Sequence, residues 1–161
     1  MVFPQARLVL RRRVVKICLH SLVVMVICSV SAWGEPAAII EEIRSVIVKQ
    51  QDAWNGGDLE AFMSGYWNSP ELTFFSGAHE SKGWQAALDR YKKSYQSAGH
   101  EMGKLEFANL RIEMLGSDAA FVRGEFHLMM SDGKTPHGLF TLIFRKFSDG
   151  WKIVHDHSAG E

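Results

Sequence analysis

Between residue 36 and the C-terminus, apolar positions follow two different periods, helical first and alternating afterwards. Ile40, Ile43, Ile47 and Trp54 fall on one face of a helix, with Pro36 suited to its first turn and Asn55-Gly56-Gly57 as its stop. Asp58 is placed to cap a second, short helix whose buried stripe is Leu59, Phe62, Met63 and Tyr66. Asn68-Ser69-Pro70 ends it, and Leu72-Thr73-Phe74-Phe75 reads as a short strand. A polar loop from Gly77 to Gly83 then leads to a third helix with Trp84, Ala87, Leu88, Tyr91 and Tyr95 on one side.

From Leu105 onward the period becomes two. Leu105–Leu115, Ala119–Met130, Gly138–Phe147 and Trp151–Ser158 are strand-like, separated by Gly116-Ser117-Asp118, Ser131-Asp132-Gly133 and Ser148-Asp149-Gly150. Short Gly/Asp-rich connections favour antiparallel hairpins. Helix, helix, strand, helix and a four-strand meander make an α+β fold, three helices covering one face of a curved antiparallel sheet.

Alternation assigns the faces. Val122, Gly124, Phe126 and Leu128 share one side of their strand; Arg123, Glu125 and His127 share the other. Burying one Phe is worth about 1.5–3 kcal/mol, and burying an unpaired charge costs more, so the charged set is expected outside. Gly138, Phe140, Leu142 and Phe144 likewise point inward, while Leu139, Ile143 and Phe147 lie outside among charges. A half-apolar outer face predicts self-association as a homodimer. In the last strand Trp151 and Ile153 belong inward, and regular alternation carries His155 and His157 with them; a single bulge would swap these faces.

Ahead of this body, Arg11-Arg12-Arg13-Val14-Val15-Lys16 precedes an apolar run and Val30-Ser31-Ala32, the three-part pattern of a secretory signal peptide. Residues 1–32 are read as the leader, cleaved after Ala32, and residues 33–161 as one domain, periplasmic or secreted. The twin-arginine order leaves the export route open, and an uncleaved anchor would be short for a span of about 20 residues. Both cysteines, Cys18 and Cys28, lie in the leader, so the mature chain would have no disulfide, thiolate metal site or cysteine nucleophile. The formal net charge is zero, but five of the 18 basic residues lie in 1–32 with no acid, so the rest sets 13 basic against 18 acidic residues. An acidic body argues against nucleic acid as a partner, and after leader cleavage no membrane is expected either.

The body resembles the nuclear transport factor 2-like superfamily, with its cystatin-like, cone-shaped sheet. It is most similar to the SnoaL-like families and to the calcium/calmodulin-dependent kinase association-domain-like group. The resemblance runs from about Ala37 to Ser158 and rests on Trp54-Asn55-x-Gly57-Asp58-Leu59, Tyr66-Trp67 before Pro70, Gly83-Trp84, Gly138-Leu139-Phe140-Thr141-Leu142 and the run Asp149 to Ser158. It implies a pocket between helices and sheet, often a dimer, and no single function. Steroid-isomerase-like members need a carboxylate deep in the cone, and alternation brings no acid clearly inward here; Asp52 sits beside the buried stripe of its helix. Kinase association domains carry inward arginines, where this chain has Phe126 and Leu142. The expected pocket is therefore more apolar than in those relatives and less suited to an anion.

The candidate chemistry is modest. His155 and His157 on one face could bind a polar group or act as an acid/base couple near neutral pH, or simply pack at the sheet edge. Tyr66 is the foremost hydroxyl, near the mouth; His157, His155 and Tyr66 are the candidate catalytic residues. Trp54, Trp84, Tyr91, Phe126 and Phe144 are expected to shape the cavity. With only His79 on a rim loop to join His155-x-His157, no metal and no cofactor are expected. Ser76, Ser81 and Ser158 form no triad, and Asn55-Gly56-Gly57 is no phosphate loop. The expectation is an exported domain binding a small, largely apolar molecule. The alternatives are an isomerase, cyclase or dehydratase using His/Tyr chemistry, and an oligomerisation or interaction module.

Overall fold

The computed structural model describes residues 35–160, with side chains from residue 37 onward. The expected leader and its cleavage site lie outside the described residues. Helix α1 (Glu35–Asn55) buries Ile43, Ile47, Gln50 and Trp54 along one face. Gly57, at φ +78°, turns the chain out of it. Helix α2 (Leu59–Met63) is capped by Asp58, whose carboxylate accepts from the Ala61 amide at 2.9 Å, and buries Leu59, Phe62 and Met63. Helix α3 (Trp84–Tyr91) follows Gly83 and continues as one π-helical turn, Lys92–Gln96.

Six strands form one sheet in the order β2-β1-β6-β5-β4-β3. They are β1 (Thr73–Ser76), β2 (His79–Lys82), β3 (Lys104–Met114), β4 (Ala119–Met129), β5 (His137–Phe147) and β6 (Gly150–Gly160). The α+β expectation and the antiparallel meander β3–β6 both hold. Two details differ. The run expected as a polar loop contains β2, paired antiparallel to β1 from Thr73↔Lys82 to Ser76↔His79. Its residues, His-Glu-Ser-Lys, show no apolar alternation because an edge strand can leave both faces in water. Strand β1 pairs parallel with β6, so the sheet is mixed at that end.

The inward face of the meander is the expected one. Val122, Leu128, Phe140, Leu142 and Phe144 are buried, and they share a core with α1, α2 and α3. Arg123 is exposed on the outer face, and Leu139 there is 66% exposed. Gly124 points inward against the Phe140 ring; a Cβ there would come within 2.5 Å of it.

Strand β6 departs from alternation. Phe144 pairs with Ile153, but Ile143 pairs with His155, which leaves Val154 as an extra residue. This bulge swaps the faces of everything after it. Asp156 now stands opposite inward Leu142, and on its other side opposite inward Phe74. His155 stands opposite Ile143 and Thr73 on the outer face.

Candidate functional site

Helices and sheet enclose a cavity of about 150 Å³. Its wall is mostly aromatic and aliphatic: Ile47 and Trp54 from α1, Phe62 from α2, Phe74 from β1, and Phe107, Phe126 and Leu142 from the meander. Trp54 is held from both ends, its indole N–H donating to the Met102 carbonyl at 3.1 Å and its ring meeting Phe62 edge-on at 5.3 Å.

The polar part of the wall centres on Tyr66 and Asp156. The segment after α2 is stitched to β6, because the Trp67 amide donates to the Ile153 carbonyl and the Ile153 amide donates to the Gly65 carbonyl, both at 2.9 Å. That fixes Tyr66 beside Ile153. The bulge then turns Asp156 inward, where the Tyr66 phenol donates to its Oδ2 at 2.7 Å. The Ser158 hydroxyl, next on the same face, donates to Oδ1 at 2.7 Å. Asp156 is only 3% exposed and Tyr66 only 4%. Burial pushes the Asp156 carboxyl up to about 6, while the Tyr66 and Ser158 hydrogen bonds hold it back. Burial, and then the nearby Asp156 charge, raise the phenols of Tyr66 and Tyr91 well above the ordinary tyrosine value. Asp156 thus titrates close to neutrality between donors that stay protonated.

Among the eight residues expected to form the site, Trp54, Tyr66, Tyr91 and Phe126 line the cavity. Trp84 and Phe144 do not. The Trp84 indole is used by the fold, donating to the Met63 carbonyl at 2.8 Å, and Phe144 is fully buried core. His155 and His157 are on the opposite face of β6, a reversal with one cause, the extra residue Val154. There His155 Nδ1 lies 2.6 Å from the Thr73 hydroxyl, and both imidazoles meet the Phe75 ring edge-on. Burial, then the neighbouring His157, lower the His155 pKa. The expectation that no acid reaches the cavity is corrected by Asp156. An arginine does line the cavity, Arg90, from α3 rather than from a strand. Arg90 and Ser94 lie one turn apart, beside Tyr91 and Tyr95, so helical spacing alone could have found them. The described residues hold no cluster of three or more His, Cys, Asp or Glu that could bind a metal ion.

A helix-roofed curved sheet with one buried carboxyl–phenol pair in an apolar hollow defines the class: an α+β pocket fold. The SnoaL-like domain family model matches residues 43–159, and the chain belongs to that family. It is similar to a nuclear transport factor 2-like protein of unknown function from Shewanella oneidensis, 38% identical over 74% of this chain and 98% of that one, with a TM-score of 0.69. A calcium/calmodulin-dependent protein kinase type II association domain, so described provisionally, from Thiobacillus denitrificans is 18% identical over 73% of this chain and 94% of that one, at a TM-score of 0.62. A protein of Nostoc punctiforme with a cystatin-like fold and unknown function is 11% identical over 74% and 89%, at 0.63. The last two share the fold alone. No curated protein matches the chain.

Proposed function

We propose that the protein binds a small, largely apolar molecule in this cavity and orients it on the Tyr66–Asp156 pair. The observation that carries this reading is a buried carboxyl facing an aromatic hollow. Each of its oxygens accepts one hydrogen bond from the protein, which leaves capacity for one from a ligand. A volume near 150 Å³ suits a body of about one aromatic ring. Ligand-detected NMR with a set of single-ring compounds tests it. Binding that disappears in Phe126→Trp, which fills the hollow, supports the reading. Binding that survives that substitution, or no binding by any compound, overturns it.

The raised carboxyl favours a second reading, an isomerase or dehydratase in which Asp156, rather than a histidine, transfers the proton. A group titrating near 6 is ionised often enough to accept a proton and close enough to neutrality to return it. In that case Asp156→Asn lowers turnover by about 100-fold or more while ligand affinity persists. A binding protein shows no turnover to lose. The leader pattern adds the proposal that the domain is exported, which intact-mass analysis of the secreted product checks: a start near Trp33 supports it and a full-length chain refutes it.

A further inference from the structure

The cavity has two polar poles of opposite character. Among the described residues, Asp156 is the one acid in its lining and Arg90 the one lysine or arginine. Arg90 is half-buried on α3, with its guanidinium 5.9 Å from the centre of the Phe74 ring, itself part of the wall. It has no salt-bridge partner among the described residues. Its charge pulls the Tyr91 and Tyr95 phenols down against the larger effect of burial, so it is felt inside the cavity. Ser94, one helical turn on, is exposed, and Ser76 at the end of β1 is half-buried; both line the same cavity.

We propose that the ligand is a small organic acid: its carboxylate sits on Arg90, its apolar body lies among Phe74, Tyr91 and Phe62, and a hydroxyl or carbonyl reaches Asp156. This rests on the binding reading above and narrows it to a substrate class. A guanidinium offers a carboxylate two parallel N–H donors. A single cation matches a monoanion better than a phosphate dianion. At the other pole, ionised Asp156 accepts from a hydroxyl, and protonated Asp156 donates to a carbonyl. One chain position would thus read the acid and another a second polar group of the same molecule.

Calorimetric titration at pH 7.5 with 4-hydroxyphenylacetate, its neutral carboxamide and phenylacetate tests the assignment. The acid is expected to bind at least about tenfold more tightly than the amide, the scale of a charged hydrogen bond. Arg90→Gln should abolish that preference by weakening the acid far more than the amide, and Arg90→Lys should keep part of it. Asp156→Asn should change the advantage of the hydroxylated acid over phenylacetate and leave the acid–amide preference intact. Equal binding of acid and amide by the natural protein, or a preference that survives Arg90→Gln, overturns this inference and leaves the cavity reading standing. If neither the amide nor either acid binds, this inference falls, and the cavity reading is decided by the wider set of single-ring compounds.

Discussion

Asp156 shows how one side chain can cost the fold stability and still define its site. Its folded pKa, about 6, lies above the unfolded carboxylate value, so the native state holds its proton more tightly than the unfolded chain does. The cost is fully present above pH 6 and is relieved as the pH falls from there toward 4. A gap of this size corresponds to at most about 3 kcal/mol. Asp156→Asn is therefore expected to be the more stable protein at pH 8 and to match the natural one near pH 4, as denaturant titrations at the two pH values will show. The carboxyl of Asp156 meets the Tyr66 and Ser158 hydroxyls and shares its cavity with Tyr91, and among the described residues Arg90 is the one lysine or arginine lining that cavity. His155 contributes in the opposite sense. Its folded pKa is lowered, so its contribution is lost as the pH falls below its ordinary value, and only the difference between variant and natural protein isolates Asp156. Tyr66→Phe removes a donor that holds the carboxyl down. Its expected signature is an Asp156 titration moved above 6, read from the carboxyl carbon by NMR, and a loss of about 1–3 kcal/mol at pH 8.

At the scale of elements, the inward face of the meander is a consequence of simple alternation, and Gly124 shows how closely it packs. Gly124→Ala would drive a methyl to within 2.5 Å of the Phe140 ring and 2.9 Å of Leu110. The expected loss is about 1–3 kcal/mol, measurable as a lower midpoint in thermal or urea unfolding. A neutral result would mean that the ring swings aside and that the cavity beyond it is softer than its outline. This is also the scale at which the sequence was legible and then ceased to be. Helices α1 to α3, the Asp58 cap and the inward set of β4 and β5 follow from local spacing, because each of those elements repeats its own period without interruption. Strand β6 does not. One residue, Val154, inverts His155, Asp156, His157 and Ser158, and no composition or turn signal marks it, since a bulge is settled by what lies alongside the strand. Here that is Leu142 on one side and Phe74 on the other, with Tyr66 above, contacts between residues far apart in the chain. Tyr66 was readable as a candidate from its place after α2; its partner was hidden by the bulge. Strand β2 was missed for a related reason: it is recognised only by its pairing with β1.

For the whole molecule, the outer face of the sheet poses the remaining physical problem. Leu139 is two-thirds exposed, and it shares that face with partly exposed Ile143, Phe121 and Phe75. Charges are interleaved with these side chains: Arg123 pairs with Glu113 at 3.2 Å, and His127 lies 3.5 Å from Glu125. Exposed ion pairs of this kind stabilise the monomer by about 1 kcal/mol or less, so they do not account for leaving so much apolar surface in water. We propose that two copies cover this face mutually, as a two-fold homodimer would. Ile143 is the position to probe, because it sits mid-strand between His155 and Phe121, remote from the cavity on the other side of the sheet. Ile143→Asp places a charge in the centre of the contact, where its burial would cost several kcal/mol. Sedimentation should then show a dimer for the natural protein at micromolar concentration and a folded monomer for the variant. Affinity for any cavity ligand should be unchanged between the two, because the substituted side chain never reaches the hollow. A natural protein that sediments as a monomer at that concentration would remove the dimer and leave the outer face simply solvated, with the interior site untouched.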